Sequence, residues 1–134
     1  MRRTPTSPPL EFEYDSTGLR PVKRIDPNLA ETTYTHDTAG NLTAYHHPSM
    51  GAGSVEYTYD GYGQMTAMTD PMDNTWGYGY DTRGNLTTIT NALGQTTQIS
   101  DYDANGRPRR VLDPNGVLTL LDYTPRGWLK SQTV

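Results

Sequence analysis

The sequence contains no cysteine, so disulfide staples and thiolate metal sites are excluded. It has no apolar run near the roughly 20 residues that a membrane-crossing helix needs. Met1-Arg2-Arg3 leads into Thr-Pro-Thr-Ser-Pro-Pro where a signal peptide would place a hydrophobic stretch, so no export address is expected in this chain. Basic residues are scarce: 11 Lys and Arg against 15 Asp and Glu give a net charge of -4, which leaves no basic stripe for nucleic-acid phosphates or an anionic membrane surface. Leu, Ile, Val and Phe together number 20 of 134 residues, too few for a thick aliphatic core. Neither a Gly-x-Ser-x-Gly elbow nor a His-Glu-x-x-His pair occurs, and no carboxylate pair stands out with glycosidase spacing, so no catalytic residue is assigned.

What the chain does have is 10 tyrosines and 21 threonines, residue types that favour pleated strands. It also repeats. Gly18, Gly40, Gly63, Gly84, Gly106 and Gly127 are separated by 22, 23, 21, 22 and 21 residues. Three residues before the first five stand Asp15, Asp37, Asp60, Asp81 and Asp103, with Thr124 in the sixth copy. Tyr14, His36, Tyr59, Tyr80, Tyr102 and Tyr123 come immediately before. The unit reads Tyr-Asp-x-x-Gly.

Halfway through each period falls a second turn signal: Asp26-Pro27-Asn28, His47-Pro48, Asp70-Pro71, Asn91-Ala92-Leu93-Gly94 and Asp113-Pro114-Asn115-Gly116. Aspartate can close an Asx-turn, proline presets φ, and glycine accepts the left-handed conformation of a hairpin bulge. Two turns in each period leave two segments of strand length, so each repeat is a β-hairpin. The expected architecture is all-β, with six tandem antiparallel hairpins over residues 10–134 after a disordered lead over residues 1–9.

Period-two alternation places Phe12/Tyr14, Tyr34/His36, Tyr57/Tyr59, Tyr78/Tyr80, Ser100/Tyr102 and Leu121/Tyr123 on one face, an aromatic ladder between hairpins. The segments after glycine are less regular. Leu42, Met65, Leu86 and Leu129 lie two residues past their glycines, whereas Met68, Ile89 and Val111 lie five past, on the opposite parity. Either that strand packs on both faces or it contains a bulge. Unpaired edges are expected near Phe12 to Asp15 and near Leu118 to Tyr123, each a template for self-association.

The phased Tyr-Asp-x-x-Gly and Asp-Pro-x-Gly turns resemble the YD repeat of the Rhs family, whose relatives include toxin-complex C proteins and teneurins. The resemblance covers about residues 10–134, with departures at His36, Thr124, Leu19-Arg20 and Asn91-Ala92. It implies a curled sheet forming a segment of a hollow β-shell, which in bacterial members encloses a C-terminal toxin. It further implies a structural, non-catalytic role within a larger secreted effector, cytoplasmic before export. The implied partners are further repeats, a toxin domain and the secretion apparatus.

Other constellations have plainer explanations. Asp101-Tyr102-Asp103-Ala104-Asn105-Gly106 matches half of an EF-hand loop, but Leu112 stands where its glutamate belongs and Arg107, Arg109 and Arg110 crowd the place of the cation. His36 and His46 are expected to approach each other across a hairpin, where with Asp37 they could ligate zinc, but His36 fills the tyrosine slot of its repeat and His47 the aspartate slot. Neither metal nor cofactor is assigned. The tyrosines with Trp76 and Trp128 could instead stack on sugars as a carbohydrate-binding repeat module, against the reading that they pack the sheet.

Overall fold

The computed structural model describes residues 8–134; most of the expected lead at residues 1–9 lies outside them. The chain divides into two units, Met1–Asn74 and Thr75–Val134, each carrying three hairpins. The first contains β1 (Glu11–Tyr14), β2 (Pro21–Ile25), β3 (Glu31–His36), β4 (Leu42–His46), β5 (Val55–Tyr59) and β6 (Met65–Thr69), with a 3-10 turn at Pro48–Met50. The second contains β7 (Thr75–Tyr80), β8 (Leu86–Thr90), β9 (Thr96–Ser100), β10 (Arg110–Leu112), β11 (Leu118–Tyr123) and β12 (Leu129–Thr133). Within each unit every strand pairs antiparallel with its sequence neighbours, an all-β meander.

Both kinds of turn are built alike. At Asp60 the backbone N–H of Gly63 donates to the Asp60 carbonyl at 3.1 Å, and the Asp60 N–H donates to the Gln64 carbonyl at 2.9 Å. One carboxylate oxygen accepts from the N–H groups of Tyr62 and Gln64 at 2.8 and 2.9 Å. The same pattern recurs at Asp113, where Asn115 and Val117 donate at 2.9 and 2.8 Å. The fourth residue must be left-handed, and Gly84 and Gly116 both have φ +83°. Leu29 and Asp73 take that place without glycine, each at φ +64°, and the His47-Pro48 turn departs from the pattern as a 3-10 turn over Pro48–Met50 followed by left-handed Gly51 at φ +69°.

The irregular second strand has a definite cause. The register shifts between Thr35 and His36, Thr58 and Tyr59, and Gly79 and Tyr80, because Thr43, Thr66 and Thr87 are extra residues on the partner strand. This bulge changes the parity, so Met65 stands opposite Tyr59 and Met68 opposite Tyr57, both on the tyrosine face. In the next hairpin Leu86 faces Tyr80 and Ile89 faces Tyr78. The bulged threonine hydroxyls find local partners: Thr43 Oγ1 donates to the Thr35 carbonyl at 3.2 Å, and Thr66 Oγ1 lies 2.9 Å from Thr58 Oγ1.

Burial is thin. Among the described residues only Val55, at 9% exposure, and Thr32, at 6%, are buried. Cross-strand pairs and turn hydrogen bonds, each worth about 0.2–1.5 kcal/mol, therefore carry the stability in place of a core.

Two expectations need correction. The edge expected at Leu118 to Tyr123 is interior, because β11 pairs with both β10 and β12. The run Val117–Leu121 is apolar because it lies on a strand paired on both sides. The fifth repeat was expected to extend its first strand through Tyr102, but β9 ends at Ser100 and Asp101 turns left-handed at φ +56°. This repeat carries one residue more than its neighbour between its turns, and Asp101 takes up the excess.

Leu29 combines a left-handed backbone with 69% exposure. Leu29→Gly is expected to raise stability by about 1 kcal/mol, since a left-handed non-glycine residue costs about 1–2 kcal/mol. Gly116→Val, where an added Cβ meets nothing within 4 Å, should lower it by about 1–3 kcal/mol through backbone strain alone. Equilibrium denaturation of both variants measures the difference, and matching midpoints would contradict the strain assignment.

Candidate functional site

The recurring chemical feature is the joint between one hairpin and the next. Strands β4 and β5 pair over Ala44–Glu56 and Tyr45–Val55, so Leu42 lies beyond that ladder. Its carbonyl accepts the Tyr59 hydroxyl at 2.8 Å. The Tyr102 hydroxyl donates to the Leu86 carbonyl, and the Tyr123 hydroxyl donates to the Pro108 carbonyl at 2.8 Å. In each case the acceptor lies two residues past a repeat glycine and the donor is the Tyr-Asp tyrosine of the following repeat. Burial pushes the Tyr102 phenol above its ordinary pKa, which keeps it protonated as a donor.

A second contact runs parallel to the first. The residue after Gly40, Gly84 and Gly106 leans toward the next turn: a Cβ built on Gly63 would lie 3.7 Å from Asn41 Oδ1, and one on Gly106 3.6 Å from Asn85 Oδ1. Arg107 develops the contact furthest. Its Nε donates to Asp103 Oδ2 at 2.7 Å, Nη1 reaches the Thr124 carbonyl at 3.4 Å, and its guanidinium lies 5.0 Å from the Tyr123 ring centroid. Arg20 plays a similar part beside Gly40.

The turn aspartates hold these joints in place and titrate accordingly. The Asn41 side-chain amide, then the backbone N–H groups, hold Asp37 below the ordinary carboxylate pKa; Asn74 does the same for Asp70, and Asn85 for Asp81. Asp15 is lowered first by the Thr17 hydroxyl, Asp26 by the Ala30 N–H and Asp103 by the Arg107 N–H. In the sixth copy Thr124 keeps one such bond, with Oγ1 accepting from Trp128 N at 3.2 Å.

The expected ladder tyrosines occupy several environments. Tyr34 faces Tyr45 across the hairpin, and Tyr45 stacks on Tyr57 of the next hairpin at 6.5 Å and 24°. Tyr45 was not among the ladder residues, because it lies on the irregular second strand whose parity the bulge resets. Tyr57, Tyr59, Tyr78, Tyr80 and Tyr123 face Met68, Met65, Ile89, Leu86 and Leu129. Tyr14 contacts Phe12 on its own strand at 6.4 Å. Tyr102 stands outside the strands and acts through its hydroxyl.

The histidines do not converge as expected. His36 is opposite Leu42 beside the turn and His46 is opposite Thr33, at the other end of the β3–β4 ladder. His46 Nδ1 donates to the Gly53 carbonyl at 2.6 Å, while His47 Nδ1 accepts from Ser49. Both carboxylate oxygens of Asp103 are occupied by the turn and Arg107, leaving the EF-like segment a turn. Among the described residues no group of three His, Asp or Glu side chains is placed to hold a metal. An open trough of about 610 Å³ lies between the second and third Tyr-Asp turns, lined by Asp37, Asn41, Thr43, Tyr57, Tyr59 and Tyr62. Its Asp37 carboxylate is already bonded to Asn41 through both oxygens.

The RHS Repeat family model matches residues 14–49, 59–96 and 102–134, phased on these same hairpins. The chain belongs to the RHS repeat family. It is 31% identical over 127 residues to the toxin protein Tse5 of Pseudomonas aeruginosa, covering 92% of this chain and 9% of that protein. It is 35% identical over 105 residues to the probable deoxyribonuclease RhsA of Dickeya dadantii, covering 77% of this chain and 7% of that one. The chain thus spans less than a tenth of the length of these curated relatives. The crystal structure of TcdB2-TccC3-Cdc42 shares the fold at a TM-score of 0.75 and 16% identity, over 92% of this chain and 7% of that one.

The joint bonds sit at the ends of strand ladders, so Tyr59→Phe is expected to cost about 0.5–1.5 kcal/mol with little change in sheet content. Equilibrium denaturation measures the cost and circular dichroism the sheet content. Acid should loosen the turns. The lowered aspartates contribute stability that is fully present above the ordinary Asp pKa of about 3.9 and is lost as pH falls through their depressed folded values. Asp81→Asn should flatten that fall, as denaturation midpoints between pH 6 and pH 2 would show.

Proposed function

We propose that this chain is a stretch of wall in a β-shell of RHS repeats with which a larger bacterial toxin encloses its C-terminal toxic domain, and that the stretch itself is not catalytic. The supporting observation is the repeat joint. A meander that lengthens by adding hairpins, three of which are seated on the last by a tyrosine hydroxyl, suits a wall that surrounds a space and needs no packed core. Its partners on this reading are further repeats, the toxin domain and the secretion apparatus, and the chain leaves the cell as part of the larger effector. The toxin name of one relative, the deoxyribonuclease name of the other and the much greater lengths of both support the same reading.

Tyrosine rings set against Met65, Met68, Leu86 and Ile89 support packing over sugar stacking, which leaves carbohydrate binding as the second reading. The wall reading is tested by limited proteolysis of the longer protein with and without these repeats. The C-terminal domain should resist cleavage in the intact protein and lose that protection when residues 10–134 are removed. Equal protection in both would overturn the wall, and glycan-array binding by the chain would favour the carbohydrate reading.

A further inference from the structure

We propose that Asn105 is a site of spontaneous deamidation, through a succinimide formed with Gly106, and that Arg107 is the latch that sets its rate. Of the seven asparagines only Asn105 and Asn115 precede glycine, whose lack of a side chain lets its nitrogen approach most closely. Both stand exposed in turns, open to the water that the reaction consumes. The Gly106 nitrogen gives its proton to solvent and bonds to Asn105 Cγ, while the Cγ–Nδ2 bond breaks and the amide takes up a proton and leaves as ammonia. Water then opens the ring at either carbonyl, which yields aspartate or isoaspartate.

In a closed turn the reacting nitrogen is occupied. The Gly106 N–H donates to the Asp103 carbonyl at 3.0 Å, and the Gly116 N–H to the Asp113 carbonyl at 3.0 Å. Each reaction must therefore wait until its turn opens.

The two turns differ in what holds them shut. The Asn115 turn contains Pro114, whose φ is preset, and the Leu112–Leu118 pair of β10 and β11 stands directly at its base. The Asn105 turn has Ala104 in place of proline and no strand on either flank, since β9 ends at Ser100 and β10 starts at Arg110. At its base Asp101 is left-handed at φ +56°, a conformation costly to a residue with a side chain, and the bond from Arg109 N–H to the Ser100 carbonyl is 3.3 Å long. Beyond the turn's own hydrogen bonds, the brace is Arg107. Its Nε donates to Asp103 Oδ2 at 2.7 Å, and the Tyr123 ring, 5.0 Å away, holds the guanidinium in place.

The site lies between two joints. Tyr102, three residues before, gives its hydroxyl to Leu86, and Pro108, three residues after, gives its carbonyl to Tyr123. Isoaspartate adds a methylene to the main chain between them, and either product sets a new carboxylate near Asp103, so conversion loosens both joints together.

The proposal rests on the chemistry of this turn and not on what the repeats enclose, so its failure would leave the wall reading standing. The test is peptide mapping by mass spectrometry of the purified chain held in mildly alkaline buffer, with isoaspartyl methyltransferase labelling to count isoaspartate. In the folded chain Asn105 should convert about fivefold or more faster than Asn115, whereas in guanidinium chloride the two should convert alike, since the dipeptide is the same. Arg107→Gln should raise the rate at Asn105 about threefold and leave Asn115 unchanged, which distinguishes release of the latch from unfolding of the whole chain. The unfolding midpoint of the wild-type chain should fall as Asn105 converts, and Asn105→Gln should abolish that fall. Asn115 converting as fast as Asn105 in the folded chain would overturn the proposal, as would Arg107→Gln leaving Asn105 unchanged or accelerating both sites alike.

Discussion

Most of the hairpins depend on one aspartate oxygen accepting backbone N–H groups across a loop whose fourth residue is left-handed, and Thr124 keeps one such bond in the sixth. That arrangement fixes where the chain reverses and how far the two strands are offset before either has made a side-chain contact. With tight turns closing every strand pair and scarcely any buried side chain among the described residues, local closure of the loop takes over the organising role that a hydrophobic core has elsewhere. Most strand pairings follow from it, because the chain folds back on its immediate predecessor.

The bulge adds a second constraint. A hairpin closed by this turn would alternate strictly, and a strict alternation would send the second apolar residue of each returning strand to the wrong face. One extra residue, a threonine in three hairpins, returns Met68 and Ile89 to the side of Tyr57 and Tyr78. The sheet thereby gains one face of aromatic and aliphatic pairs, and the tyrosine beside the bulge stands at the end of the inter-hairpin ladder, where its hydroxyl meets an otherwise uncovered carbonyl.

Much of this was legible in the sequence. The glycine period and the Asp-Pro turns disclosed the hairpins, since aspartate, proline and glycine act locally and leave the same signature wherever they occur. The opposed parities of Met65 and Met68 signalled that something breaks the alternation, but sequence could not separate a bulge from two-sided packing. The hydroxyl bonds were hidden because a tyrosine that packs and a tyrosine that donates look alike in one dimension. Tyr45 was missed because it lies beyond the bulge, where counting by twos fails, and His46 lies far from His36 because the two stand at opposite ends of the same ladder. The edge expected on β11 was misplaced because hydrophobicity there reflects a strand paired on both sides.

The joint takes its acceptor from the main chain. Leu42, Leu86 and Pro108 serve equally, since only the carbonyl is used. The joint bond itself therefore places no demand on the side chain at that position, and unequal crossing-over between two copies of the coding repeat could add or remove a whole hairpin without losing the acceptor. The array can change length in whole-period steps while its individual sequences drift, a genetic latitude that a fold knitted together by unique side-chain contacts would not possess.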